Sequence, residues 1–251
     1  FLYGWLRGEG IERSCRYANA CGALVVSRHG CAPAMPSRAE LDYFLAHGGR
    51  LRQPDSDKEL AHLHRASVPR RVWNDLHIFA FDHRSQFYEL ARECGADESR
   101  LPRLKQLLVE AVALTERELG LQQRVGVLID QRYGQDALNA ATGRGWWIGR
   151  PVEMPGSNPL EFEYGRSLGS QLQHWPAEHV VKCLVPFDPD GTPETRLEQE
   201  TQLRTLYDAV LQSGHELLLE VIPPPNLHAT GTPGERMLRA MKRIYNLGLR
   251  P

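Results

Sequence analysis

Two charged residues interrupt apolar stretches that otherwise read as buried strands. Val180-Val-Lys-Cys-Leu-Val-Pro186 carries Lys182, and Glu216-Leu-Leu-Leu-Glu-Val-Ile222 carries Glu220. A charge placed among apolar neighbours is costly unless it is paired, hydrated or used. An ammonium and a carboxylate delivered by consecutive parallel strands would point toward one pocket, where a proton can be moved. The bland alternative is a buried structural ion pair, which strand interiors also hold.

Polar side chains also stand at the ends of the apolar runs: Asp82, Asp130, Arg150 with Glu153, and, after the Lys182 run, Asp188. Asp82 would bind substrate hydroxyls or fix a lysine, and Asp130 would bind substrate or cap the helix that follows it. Arg84, Arg132 and Arg150 could gather a phosphate, although rim arginines are equally ordinary. His29, His77 and His83 have no metal-ligand spacing with a carboxylate or a second histidine, so no metal site is expected.

These residues need strands and helices to position them. From Leu76 the chain alternates: Leu76–Phe81, Val125–Ile129, a third strand through Arg150–Glu153, Val180–Pro186 and Glu216–Ile222 are strands, each followed by a helix. The helix Pro102–Leu119 shows Leu104, Leu107, Leu108, Ala111 and Leu119 as its apolar stripe, with Gly120 as its stop. The helix after the fourth strand has Thr192 as cap, Pro193 in its first turn, an apolar stripe of Leu203, Leu206, Tyr207 and Val210, and Gly214 as its end. Both strands of the last unit read as covered on two faces. Five β-then-α units predict an α/β fold with a parallel sheet. No Gly-x-Gly-x-x-Gly or P-loop follows any strand, and polar residues close every strand, so a (β/α)8 (TIM) barrel truncated after about five units is preferred to a doubly wound sheet.

Residues 1–47 read as a separate helical piece and 48–70 as a polar linker with a short helix near Lys58–Arg65; the barrel segment is 71–251. Within the first piece Ser37 and Glu40 form a capping box. The 251 residues are 41% apolar, and 30 basic side chains nearly balance 31 acidic ones, which gives no support for nucleic-acid or membrane-surface binding. Five scattered cysteines without a C-x-x-C pair fit a reduced, cytoplasmic protein. The first residue is Phe, inside what reads as a helix, and the chain is expected to be a fragment of a longer protein.

The run Tyr17-Ala-Asn-Ala-Cys-Gly-Ala-Leu-Val-Val-Ser-Arg-His-Gly30 resembles the C-terminal end of ribokinase-type (PfkB-family) sugar kinases. The resemblance implies a helical remnant of a ribokinase-like domain, with Asn19 beside the adenine and Gly30 bordering the nucleotide. That family uses ATP and Mg, but its Gly-Ala-Gly-Asp motif is not in this sequence, so no kinase turnover is expected from the chain alone. A generic helical cap is the alternative.

The motifs Ala80-Phe-Asp-His-Arg84, Leu128-Ile-Asp-Gln-Arg-Tyr-Gly134, Val181-Lys-Cys-Leu-Val185 with Asp188-Pro-Asp190, and Leu218-Leu-Glu-Val221 resemble the aldolase-like barrel of DUF2090 type. That barrel is fused behind such kinases in bacterial inositol catabolism, and more distantly these motifs are similar to class I tagatose-bisphosphate aldolases. The resemblance implies a bifunctional enzyme: a 5-dehydro-2-deoxygluconokinase and a lyase cleaving the phosphorylated sugar acid to dihydroxyacetone phosphate and malonate semialdehyde. Schiff-base chemistry needs no cofactor in the barrel. In the tagatose-bisphosphate relatives the position like Lys182 is auxiliary, and the Schiff-base lysine is expected on a sixth strand, beyond Pro251. Lys182 is therefore assigned electrostatic work and Glu220 the acid/base role. A kinase whose barrel only binds or oligomerises remains the alternative, and a homo-oligomer stays open.

Overall fold

A computed structural model of the chain describes residues 1–28, 34–67, 71–225 and 231–249. It divides into two compact units, Phe1–Val72 and Trp73–Arg250.

The first unit is helical: α1 (Leu2–Leu6), α2 (Ile11–Val26), α3 (Arg38–His47) and α4 (Lys58–Ser67). Tyr17 and Ala20 of α2 pack on Leu41 of α3, backed by Phe44 and Leu45. The capping box is present: Ser37 Oγ accepts from Glu40 N, and Glu40 Oε2 accepts from Ser37 N. Glu40 is completely buried and is held by Arg28 Nη2 at 2.5 Å and His64 Nδ1 at 3.0 Å. Burial pushes its carboxyl up, but the backbone N–H of Ser37 together with His64 and Arg28 outweighs this and holds it below the usual carboxylate range.

The second unit is an α/β sheet structure. Its elements run β1 (His77–Ala80), α5 (Ser85–Glu93), α6 (Leu101–Leu119), β2 (Val125–Leu128), α7 (Gln131–Ala141), β3 (Trp147–Pro151), α8 (Leu168–Leu172), β4 (His179–Pro186), α9 (Pro193–Ser213), β5 (Glu216–Ile222) and α10 (Pro233–Asn246). All neighbouring strands are parallel and lie in sequence order, β1-β2-β3-β4-β5, without the reversal that makes a switch point in a doubly wound sheet.

Strand parity separates two faces. Val125, Val127, Ile129 and Ile148 pack with Val109 of α6 and Leu138 of α7; Val181, Cys183 and Val185 pack with Leu203 and Leu206 of α9 and Ile244 of α10. Side chains of the other parity, including Ile78, Trp147, Lys182, Leu218 and Glu220, lie on the opposite face, here called open. The Trp147 indole lies along that face over two glycines. A Cβ on Gly126 would come within 3.3 Å of Trp147, and one on Gly149 within 2.7 Å of its ring.

Two expectations are corrected. Strand β5 is not covered on both faces: Leu217, Leu219 and Val221 pack against the core, whereas Leu218 and Ile222 are exposed, because β5 is an edge and only one of its faces meets helices. Helix α6 buries a different stripe from the leucine-rich one: Leu101, Lys105 and Val109 face inward with the half-buried Leu108 packed beside them, while Leu104, Leu107 and Leu119 are exposed. The decisive partner is polar: Asp130, which pairs with the Lys105 ammonium.

Candidate functional site

Register carries the central cluster. Pro151 pairs with Lys182, Lys182 with Leu218 and Leu184 with Glu220, so Lys182 and Glu220 share the open face, two residues apart in register. Lys182 Nζ lies 3.3 Å from Glu153 Oε1, 3.5 Å from Asp82 Oδ2 and 3.7 Å from Glu220 Oε2. The lysine and Glu153 are buried; the Glu220 side chain is 50% exposed and forms the wet wall. Each acid comes from the C-terminal end of a different strand: Asp82 just after β1, Glu153 just after β3, Glu220 in β5.

Glu153 is fixed by the chain returning beside it, since Met154 N donates to Glu161 O and Glu163 N to Val152 O. That return also brings Glu163. Arg84 Nη1 donates to the Glu153 carbonyl at 2.8 Å and pairs with Glu163 at 2.8 Å, while its Nη2 reaches Glu153 Oε1 at 3.2 Å. Glu153 Oε2 is buried and has no hydrogen-bond partner among the described residues. The cluster therefore holds two cations, Lys182 and Arg84, against four carboxylates, Asp82, Glu153, Glu163 and Glu220. Burial draws the Lys182 ammonium down, but Glu153, Asp82 and Glu220 together more than reverse this, and its pKa is raised. Lys182 is thus a fixed positive charge rather than a neutral amine. Among the described residues no group of three His, Cys, Asp or Glu side chains could hold a metal ion.

Behind the sheet lies a second lysine. Lys105 of α6 is fully buried and donates to Asp130 Oδ1, to Phe81 O at 2.7 Å and to His83 O at 3.0 Å. Asp130 in turn caps α7, its Oδ2 accepting from Tyr133 N at 2.9 Å. The two carbonyls flank Asp82, so Lys105 anchors the loop from which Asp82 reaches Lys182. Here burial outweighs Asp130, and the Lys105 pKa is lowered.

Residues 40–251 match the family described as "Uncharacterized protein conserved in bacteria (DUF2090)". The chain belongs to the DUF2090 family. Residues 1–38 match the pfkB family carbohydrate kinases. Curated relatives include the 5-dehydro-2-deoxygluconokinases of Bacillus thuringiensis (strain Al Hakam), Bacillus cereus (strain 03BB102) and Bacillus anthracis (strain A0248). Each is 40% identical over 45 residues, which is 18% of this chain and 14% of the relative. The chain thus spans about a seventh of the length of these curated relatives.

Within this DUF2090 chain the residues singled out from sequence fall into three groups. Lys182, Glu220 and Asp82 are brought together. Arg84 joins them through Glu153, and with the exposed Arg132 it lines an adjoining cleft of about 340 Å³ that also includes Tyr133 and Met154. Asp130 is the α7 cap and the partner of Lys105, so it acts behind the cluster. Arg150 is not near the cluster: it pairs in register with Val181 and therefore lies on the helix-covered face. In the first unit Asn19 is exposed on α2, and Gly30 lies outside the described residues. No described helix is long and apolar enough to cross a membrane.

Sequence reasoning left Glu153 as one polar strand end among several and passed over Lys105. Its signal was present: Lys105 stands between Leu101 and Val109 at i, i+4, i+8, a helix face that buries whatever occupies it.

Proposed function

We propose that the sheet unit belongs to an aldolase-like (β/α)8 barrel, and that its lysine–carboxylate cluster performs acid/base and electrostatic work in retro-aldol cleavage of a phosphorylated sugar acid. Strands in sequence order with polar residues at their C-terminal ends support the barrel. The observation that carries the chemistry is the Lys182 ammonium ringed by Asp82, Glu153 and Glu220, with one buried Glu153 oxygen unpartnered.

In such a cleavage a carboxylate takes the hydroxyl proton, the carbon–carbon bond breaks, and the electrons pass to the ketone carbon's acceptor. Glu153 or the wetter Glu220 suits the base. Lys182, held charged, would lower the pKa of a neighbouring amine that forms the Schiff base or stabilise the developing oxyanion. Four acids against two bases make the cluster itself a poor phosphate site. Arg132, which makes no ion pair among the described residues, suits the phosphate better.

The kinase-named relatives support placing the lyase beside a sugar kinase, with 5-dehydro-2-deoxygluconate as the kinase substrate and its phosphate as the lyase substrate. ATP and Mg would belong to that kinase half. Asn19 is the one described residue here expected beside the nucleotide, so phosphotransfer is not assigned to residues 1–38.

The test is borohydride trapping on the full-length protein with the phosphorylated substrate. The expected adduct is on a lysine other than Lys182, and Glu153→Gln is expected to slow cleavage by about 100-fold or more while leaving kinase turnover unchanged. No adduct together with unimpaired turnover in Glu153→Gln would leave a barrel that only binds or oligomerises.

A further inference from the structure

Arg150 is a buried cation with no acid to balance it. It is 5% exposed, and among the described residues no carboxylate pairs with it. Its guanidinium stacks 3.7 Å from the centre of the Trp175 ring, and Nη2 donates to Gln131 Oε1 at 2.6 Å. That amide oxygen is already shared with the Tyr164 hydroxyl. Nη1 faces His179 Nδ1 at 3.5 Å, and Nε is buried with no hydrogen-bond partner among the described residues.

His179 supplies no counter-charge. Thr142 Oγ1 gives its proton to Leu138 O at 2.7 Å, so it must accept from His179 Nε2 at 2.9 Å. The ring is then neutral with its Nδ1 lone pair toward Arg150, and burial, Arg150 and His215 pull its pKa down to about 4. A guanidinium cannot escape burial by losing its proton, and a buried charge without a partner is strongly destabilising. A cation–π contact, one shared amide oxygen and the neutral Tyr164 hydroxyl beside it offset only part of that cost.

The guanidinium borders a cleft of about 380 Å³ between α7 and α8, lined also by Gln131, Gln135, Asn139, Gln171 and His174. That volume is within the range of small-ligand pockets. The lining offers amides and imidazole for hydroxyl groups, and one positive charge. We propose that Arg150 anchors a second ligand site, on the helix-covered side of β3 and separate from the Lys182 cluster, that takes a small hydroxylated monocarboxylate. One carboxylate neutralises one guanidinium, and the amides read the hydroxyls. A phosphate dianion would leave an excess negative charge among neutral groups.

The experiment measures thermal unfolding of the full-length protein against gluconate, acetate, chloride and inorganic phosphate at constant ionic strength, in the wild type, Arg150→Met and Asn139→Trp. Gluconate at ten times its Kd is expected to raise the wild-type Tm by roughly 3–5 °C, saturably, with a smaller response to acetate and none to chloride. Arg150→Met should lose the response without losing ligand-free stability, because it removes an unbalanced charge. Asn139→Trp, at an exposed cleft wall, should lose the response with an unchanged ligand-free Tm, which keeps the test decisive should Arg150→Met fold poorly. Absence of a saturable gluconate shift, or an equal shift in Arg150→Met or Asn139→Trp, overturns the site. A response to phosphate alone overturns the carboxylate assignment.

Discussion

The sheet unit buries two lysines and treats them in opposite ways. Behind the sheet, Lys105 meets one carboxylate and two carbonyl oxygens in a pocket without solvent, and every N–H it has is taken. On the open face, Lys182 meets three carboxylates, one of them half in water. Burial wins at the first and lowers its pKa; the surrounding acids win at the second and raise it. A sealed one-to-one pair is a structural fastening. A ring with surplus acid and an unpartnered oxygen is a site in which a proton has somewhere to go.

Removing Lys105 should give the largest effect. Lys105→Met leaves Asp130 buried without its cation and is expected to cost about 3–5 kcal/mol in denaturant unfolding. The double variant Lys105→Met/Asp130→Asn should recover part of that loss, and no recovery would mean that the pair does more than balance charge. Lys182→Met should cost less, about 1–3 kcal/mol, since Arg84 still holds Glu153. Its expected signature is instead the loss of the proposed cleavage in the full-length protein.

The pKa contrast can be read directly, because the chain has only four lysines. In 13C-labelled lysine NMR, Lys105 should titrate below the ordinary 10.5 and Lys182 above it. The stability consequences have opposite signs. Lys182 contributes stability that is complete below pH 10.5 and lost as pH rises through its raised folded value. Between the lowered Lys105 value and 10.5 the unfolded chain holds more protons, so that residue makes stability rise with pH. Two lysines titrating together would remove the distinction. The smallest effect belongs to Glu220→Gln: half-exposed and 3.7 Å away, it should change unfolding free energy by less than about 0.5 kcal/mol while still slowing the proposed cleavage.

The element order and most boundaries were legible because strands and helices here are well punctuated, by Pro193, Gly120, Gly214 and the Ser37–Glu40 box. The Lys182–Glu220 pairing was legible too, since two charged interruptions in apolar runs have few places to go. What stayed hidden depends on parity and faces. Around Trp146-Trp-Ile-Gly-Arg-Pro-Val-Glu153 apolar residues occupy both parities, so nothing local says that Arg150 follows Val181 rather than Lys182. In α6 two apolar stripes overlap, and the richer in leucine is the wrong one. The buried stripe is chosen by Asp130 and two carbonyls that are distant in sequence.

The Glu40 hub has a consequence for where this polypeptide can be divided. The pfkB match stops at residue 38 and the DUF2090 match starts at 40, yet Arg28 on one side grips Glu40 on the other, and His64 closes the same knot. The homology seam therefore runs through the middle of a folded helical cluster, whereas the physical division falls near Val72. Scissors applied at residue 39 would part the buried Glu40 carboxylate from Arg28 and Ser37; applied after 72 they would follow the boundary between the two compact units.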